Sequence, residues 1–223
     1  PTRLNPAYAR VSAYVSDGRS EFWSATFRFR RSFANGLRFF GSVTRSEDRD
    51  NDSNERNFSG IFLEDVMNPD LNWGYSDRDQ RWKFLGNLSW DFKLSRRVDA
   101  FAGAVYAYAT GRPWTPRVNV DMNIDGIADT DRPVVGGEHL DRNSYRFPDA
   151  STLDLRVGVA LNLGPGRLSA FAECFNCANA ANRGITAANQ QWGTGTVPPP
   201  NFGVPNTVTN SPRAFQAAVR YDF

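Results

Sequence analysis

The eleven residues from Asp121 to Asp131 have the spacing of a cation-binding loop. Oxygen-bearing side chains recur at every second position, and Gly126 follows them where a calcium loop needs its sharp turn. An EF-hand would place a bidentate Glu at the twelfth position, where this chain has Arg132. Two interpretations stay open: a Ca²⁺ site that stiffens a loop, or an Asx-rich turn held by its own backbone hydrogen bonds. The candidate ligands are Asp121, Asn123, Asp125, Asp129 and Asp131.

Cys174 and Cys177 form a C-x-x-C pair, a spacing that in other settings indicates metal or redox chemistry. A zinc site is not expected, since there is no second pair and the one histidine, His139, is far along the chain. In an extended strand, residues three apart are separated by about 10 Å, too far for a disulfide. A turn at Asn176 would bring them together. The pair is therefore either two small apolar residues or a local disulfide.

No set of residues predicts an enzyme. The chain has no nucleophile–base pair, no glycine-rich phosphate loop and no acid pair with a defined spacing. A net charge of +2 is too small to indicate nucleic-acid binding. Trp114 and Trp192 could stack on a ligand, but packing against neighbouring residues is the commoner role. The acid-rich stretch 47–79 could attract cations, but a solvated loop is the simpler expectation.

The segments that carry these residues alternate between apolar and polar side chains, which predicts β-strands. In residues 81–94, for example, Trp82, Phe84 and Leu88 face one way while Lys83 and Asn87 face the other. About eight such segments are predicted, at 7–16, 20–32, 37–46, 81–94, 98–110, 151–163, 167–176 and 213–223.

The lengths of these strands and of their connections favour a membrane. Soluble strands typically have about 5–6 residues, whereas tilted membrane strands need about 9–11. Tight connections near 33–36, 95–97 and 164–166 alternate with long ones at 47–79, 111–149 and 178–211. Asp17-Gly18 is the one tight connection on the long side. Short periplasmic turns and long extracellular loops are typical of outer-membrane barrels. We therefore predict an all-β, antiparallel transmembrane β-barrel.

The two faces of the strands agree with this prediction. The apolar face carries Trp23, Trp82 and Trp90 near strand ends, which suits interfacial aromatic girdles. The polar face carries cations that require a wide, wet lumen or a polar plug, namely Arg28, Arg30, Arg38, Lys83, Arg156 and Arg220. A closed eight-stranded barrel would need matching acids in its narrow interior. We find only Asp91, Asp154, Glu173 and Asp222 at inward positions.

The closing strand ends on an aromatic residue, with a tyrosine two positions before it. This ending resembles the C-terminal assembly signal of bacterial outer-membrane barrels, which the barrel-assembly machinery reads. The signal residues would be Phe215, Val219, Tyr221 and Phe223. We expect Phe223 to be a true terminus at the periplasmic rim and Pro1 to be a cut.

Several short motifs follow one another in order along the chain. They are Phe33-Ala34-Asn35-Gly36-Leu37, Val43-Thr44-Arg45-Ser46, Asp79-Gln80-Arg81-Trp82-Lys83-Phe84, Thr110-Gly111-Arg112-Pro113-Trp114, Asp125-Gly126, Asp131-Arg132-Pro133 and Glu173-Cys174-Phe175-Asn176-Cys177-Ala178-Asn179. In this order, and with the closing aromatic strand, they resemble TonB-dependent outer-membrane receptors, specifically the Oar-like group that carries a carboxypeptidase-regulatory-type N-terminal domain. Cys177 is a local departure, because the family usually has an apolar residue there.

The resemblance implies a barrel of about 22 strands around a plugged lumen, with residues 1–223 as the C-terminal part of its wall. It implies transport across the outer membrane, with no required cofactor. The implied partners are lipid, the barrel-assembly machinery, the remaining strands and plug, TonB, and an unidentified substrate. Two alternatives stay open: a structural or adhesive surface protein, and a self-contained eight-stranded barrel without transport.

Overall fold

A computed structural model of the chain describes residues 16–53, 63–65, 68–124 and 126–223. The strand predicted at 7–16 lies outside the described residues except for Ser16. Among the described residues, no helix has the length and apolar character needed to cross a membrane.

Seven long antiparallel strands of 9–14 residues form one sheet, and each pairs with the next long strand along the chain. This meander is the antiparallel wall that the sequence predicts. The strands are β1 (Ser20–Ser32), β2 (Leu37–Asp50), β4 (Trp82–Lys93), β5 (Val98–Ala109), β10 (Ala150–Asn162), β11 (Arg167–Phe175) and β14 (Ala214–Asp222).

The other elements are short and belong to the long connections. β3 (Gly74–Tyr75) extends the main sheet by pairing with the end of β2. The remaining strands form three small pairs, β6 (Pro113–Trp114) with β9 (Tyr145–Arg146), β7 (Val134–Val135) with β8 (Glu138–His139), and β12 (Arg183–Gly184) with β13 (Thr207–Val208). Two 3-10 helices cover Pro69–Asn72 and Ala187–Gln190.

The tight turns predicted at 33–36, 95–97 and 164–166 lie at one end of the sheet. At the first of them Gly36 has a φ of +83°, which favours glycine. A Cβ at this position would also lie 2.0 Å from the carbonyl oxygen of Asp91. Only glycine therefore allows the β1–β2 hairpin to pass so close to β4.

The strand register separates the side chains into two faces, as the sequence predicts. Cross-strand partners share a face, so the register places Phe27, Val43 and Phe84 on one face and Arg28, Ser42 and Leu85 on the other. We call these the apolar face and the polar face. The apolar face is open, and the exposed fractions of Phe27 and Val219 are both 71%. Lipid is the environment that makes such a face stable.

The strands are staggered in a regular way. One row of cross-strand partners begins at Ser32, the last residue of β1, and reaches Gln216, which lies six residues before the end of β14 at Asp222. Over the six steps from β1 to β14 the register therefore shifts by about one residue per strand. Barrel closure requires tilted strands and a shift of this kind. The row contains Ser32, Arg38, Ser89, Gly103, Arg156, Glu173 and Gln216.

Both outer edges of the sheet are free within the described residues. β1 pairs only with β2, and β14 pairs only with β11. The seven long strands form an open, tilted wall.

Candidate functional site

The three long connections fold together at the end of the sheet opposite the tight turns. We call this layer the loop cap; it comprises the described residues of the segments 51–81, 110–149 and 176–213. Among the described residues, four of the six buried apolar side chains lie in the cap, and the other two are Ala100 and Ala160 of the wall. The cap is thus a packed body, formed by Trp114, Val118, Ile185 and Trp192 together with many buried polar groups.

The acid-rich first loop is joined to the second loop by a buried ion pair. Glu64 and Arg132 are only 2% and 3% exposed, and their charged groups are in contact. The backbone N–H of Arg132 also donates to Glu64 Oε1, at 3.3 Å. His139 Nδ1 lies 2.5 Å from the same oxygen. A buried carboxylate with this set of partners is compensated rather than solvated.

Two further ion pairs join the end of β2 and the first loop to the second loop. Arg142 donates to Asp50 Oδ1 at 2.7 Å, and Arg146 donates to Asp79, whose side chain is fully buried. Asp79 Oδ1 also accepts the backbone N–H of Asp48, at 2.9 Å. The expectation of a solvated acidic loop is therefore wrong for these residues. The second loop supplies a guanidinium group to each of three buried acids.

Burial at the cap end of β2 raises the pKa of Asp48 above its ordinary value. Nearby Asp50 and Asp79 raise it further, while a hydrogen bond with Ser76 opposes the shift. A carboxyl group with a raised pKa holds its proton more tightly in the folded state than in the unfolded state. Its contribution to the stability of the cap therefore falls as the pH rises through the raised pKa.

An aromatic cluster joins the second and third loops. The ring of Trp114 lies 5.1 Å from Tyr145 and 5.4 Å from Phe202, and Trp192 lies 5.1 Å from Phe202. Trp114 and Trp192 are 5% and 8% exposed. These two tryptophans therefore pack on neighbouring rings, and neither is open to stack on a ligand.

The candidate calcium loop uses two of its carboxylates to bind its own backbone. Asp121 Oδ2 accepts the N–H of Gly126 at 2.8 Å, and Asp131 Oδ2 accepts the N–H of Met122 at 2.5 Å. The Asn123 amide donates to the backbone oxygen of Glu64.

The other candidate ligands do not complete a cation site within the part of the chain that the structure describes. Asp129 is exposed, and Asp125 lies outside the described residues. The described side chains include no group of three or more His, Cys, Asp or Glu placed to hold a metal ion. Calcium binding by this loop stays a prediction.

Cys174 and Cys177 are joined by a disulfide, with their Cα atoms 5.4 Å apart. The turn that brings them together is at Asn176, which has a φ of +47°. Asp154 Oδ1 accepts the N–H of Asn176 at 2.8 Å, and the Asn176 amide donates to Ser211 O at 3.1 Å. The turn thus ties the end of β11 to β10 and to the end of the third loop.

The polar face of the wall carries two kinds of arginine. Arg156 lies 4.2 Å from the ring of Phe171 and forms a 3.3 Å ion pair with Glu173. Arg28 and Arg30, on β1, form no ion pair with any described residue. The face therefore combines compensated cations with a local excess of positive charge.

The proposed assembly-signal residues lie together on the closing strand. Phe215, Val219 and Tyr221 share the apolar face of β14 and are 74%, 71% and 50% exposed. The Tyr221 and Phe223 rings are stacked, with centroids 6.2 Å apart. Recognition of these residues by an assembly machinery stays a prediction.

The alternating pattern of the sequence did not predict the ion pairs of the cap. The sequence feature that indicates these ion pairs is the contrast between the acid-rich first loop and the arginines of the second loop. Which arginine meets which acid depends on contacts across 67 to 92 residues of chain.

The chain was compared with protein families, curated proteins and solved structures. The model of a family described as "outer membrane beta barrel domain" matches residues 1–141, which is more than half of the chain. No curated protein and no solved structure matches.

Proposed function

The chain belongs to the outer membrane beta barrel domain family, and on that premise we propose that it forms part of the wall of a TonB-dependent receptor of the Oar-like kind. Such a receptor moves a solute across the outer membrane with energy from the inner membrane. The remaining strands, the plug and the region that binds TonB are proposed to lie outside this chain. No catalytic role is proposed.

The observation that carries the proposal is the open, staggered sheet with a charged polar face. An eight-stranded barrel has an interior just wide enough for side chains to fill. Long cations such as Arg28, Arg30 and Lys83 have no described acid partner, so they favour a wider lumen that holds water, a plug or a solute. Within the described residues, the outer edges of β1 and β14 are unpaired, which leaves room for additional strands.

We propose that the loop cap is extracellular and that the tight turns and Phe223 are periplasmic. The basis is the length of the connections, because outer-membrane barrels have short periplasmic turns and long extracellular loops. In this orientation the cap lies at the entrance to the lumen, where it contacts an incoming solute first.

The proposal is tested by measuring which solutes the cells remove from their growth medium. We compare the wild type, a deletion of the whole gene, and a strain that lacks TonB, by mass spectrometry of the spent medium. We expect one solute or solute class to persist in both mutants and to be removed again when the whole gene is restored.

The second candidate function is a structural or adhesive surface protein. The ion-paired cap favours it, because a stiff exposed layer suits binding to a surface. If gene deletion weakens attachment or envelope integrity while solute removal is unchanged, the transport proposal is wrong and this second function takes its place.

A further inference from the structure

We propose that the polar face of β1, β2 and β4 contains a binding subsite for an anionic solute that carries a carboxylate or phosphate group beside an apolar part. The site is formed by Arg28, Arg30 and Arg38 around Phe40. The description of its ligand as a transported solute rests on the proposed function; the binding itself does not.

The register brings the three arginines together. Arg30 is the cross-strand partner of Phe40, Arg28 is the partner of Ser42, and Arg38 lies two residues before Phe40 on β2. Direct partners on one face are about 5 Å apart and diagonal neighbours about 7–8 Å. Three guanidinium groups on flexible stems can therefore reach one ligand above the Phe40 ring.

Positive charge is in excess at this position on the face. Arg38 contacts Asp91 and donates to Ser89 Oγ at 3.3 Å. The strand positions opposite Arg28 and Arg30 hold Ser42 and Phe40. The sequence before β1 is itself basic, because residues 1–19 contain Arg3, Arg10 and Arg19 and a single acid, Asp17.

Elsewhere on the same face the arginines are compensated. Arg156 is 3.3 Å from Glu173, Arg167 is 3.5 Å from Asp99, and Arg220 is 2.6 Å from Asp222. Among the described strands, the wall therefore neutralises its guanidinium groups near β10, β11 and β14 but gives Arg28 and Arg30 on β1 no acidic partner. This contrast points to a partner outside the described strands of the wall.

A concavity of about 530 Å³ is lined by Arg30, Arg31 and Arg38, and Arg28 lies two residues before Arg30 on β1. This volume falls within the range of small-molecule sites, about 300–1,000 Å³. Its floor combines apolar Phe40, Leu85 and Val105 with polar Asn87 and Ser89. It can thus hold an apolar group and offer neutral hydrogen-bonding groups next to the cations.

The arginine side chain explains the choice of ligand. A guanidinium group donates two parallel hydrogen bonds to a carboxylate or phosphate, and these charge-assisted bonds are stronger than neutral ones. A neutral solute would leave Arg28 and Arg30 without a charged partner. We therefore expect selection for anions, weakened by salt.

The test measures binding to the whole purified outer-membrane protein in detergent by calorimetry. The probes are benzoate, phenyl phosphate and neutral benzyl alcohol, which share a ring and differ in the charged group. We expect at least one anion to bind about tenfold or more tightly than benzyl alcohol, because a hydrogen bond to a charged group contributes about 1.5–3 kcal/mol and 1.4 kcal/mol is tenfold. The tighter of the two anions identifies the carboxylate or phosphate as the preferred group.

Variants locate the site. Arg28→Gln with Arg30→Gln should weaken binding of the preferred anion about tenfold, and each single variant should weaken it by a smaller factor. The matched control is Arg220→Gln, which removes one charge from the same face on β14 and should leave binding unchanged. Heat-modifiable migration in gels establishes that each variant is folded.

Three results would overturn the proposal: equal binding of benzyl alcohol and both anions, unchanged binding in the folded double variant, or binding of a hexaglutamate peptide but of neither aromatic anion. The last result would assign the arginines to an acidic protein segment. No step of this assay needs TonB, so its outcome is independent of the solute-removal experiment.

Discussion

At the scale of single residues, the packing of the cap depends most on its buried charges. Glu64 accepts from the side chain and backbone of Arg132 and lies against His139. Removal of one partner from a buried ion pair leaves the other charge uncompensated, which is more costly than the pair is stabilising. Replacement of the Glu64 carboxylate by a neutral amide is therefore expected to lower the stability of the cap strongly.

We predict that Glu64→Gln destabilises the cap by about 3–5 kcal/mol, because the buried guanidinium group of Arg132 loses its counter-charge. Hydrogen exchange and limited proteolysis of the purified protein should show faster opening of residues 110–149. The matched control is Glu47→Gln, whose partner Arg49 is partly exposed, and which should cost about 1 kcal/mol or less. Equal protection of the cap in both variants would contradict the prediction.

Some residue-level features were accessible from the sequence and others were not. The packing of Trp114 and Trp192 was predicted because buried loop aromatics are common and the chain contains other rings to receive them. The pairs Asp50–Arg142 and Asp79–Arg146 were not predicted. Their partners are distant in the sequence, and local alternation carries no information about which loops meet.

At the scale of elements, the strands that lie within the described residues were predicted closely because alternation is a local property. The end of β2 is the main difference. The prediction ended this strand at residue 46, but the structure continues it to Asp50. The charged residues there are not core-forming, but they pair with residues 20–23 of β1, and Arg49 and Asp50 also pair with β3, which keeps them extended. A tertiary contact, not the local pattern, sets that boundary.

The contact of β5, β10 and β11 depends on a glycine in the middle of a strand. Gly158 lies under the Phe101 ring, and a Cβ there would be 2.4 Å from that ring and 2.8 Å from the Ala170 carbonyl oxygen. The Phe101 ring covers the backbone of Gly158. On the opposite edge of β10, Gly158 pairs with Phe171 of β11.

We predict that Gly158→Ala destabilises the wall by about 1–3 kcal/mol, because the added methyl group overpacks this contact. The measurement is the urea midpoint for loss of the heat-modifiable folded form in lipid vesicles. Gly103→Ala is the control on the neighbouring strand, where the nearest backbone atom is 3.7 Å from the added Cβ. If both variants shift the midpoint equally, the close packing at Gly158 is not the cause.

At the scale of the whole molecule, aromatic residues mark the height of the membrane band. Trp82 and Trp90 are eight residues apart on the apolar face of β4, or about 27 Å along the strand. A strand tilt of about 40° reduces this to about 21 Å across the membrane, close to the apolar band of about 25 Å in outer-membrane barrels. Arg45 lies 5.0 Å from the Trp82 ring, as expected where lipid meets water.

We predict that lipids brominated near the headgroup quench Trp82 and Trp90 but not Trp192, because only the first two contact the membrane. Fluorescence of the protein in vesicles is compared between the wild type, Trp82→Phe, Trp90→Phe and the control Trp192→Phe. The quenched fraction should fall in the first two variants and rise in the control. A fall only in Trp192→Phe would mean that the cap, not the apolar face, touches lipid.

The buried ion pairs of the cap have a consequence for how this protein can evolve. A single substitution in one of these pairs leaves a buried charge without its partner, so both residues must change together. The pairs are Glu64–Arg132, Asp50–Arg142 and Asp79–Arg146. Related sequences should therefore replace each acid and its arginine together, as covarying pairs. Independent variation between related sequences should collect at the exposed positions between them.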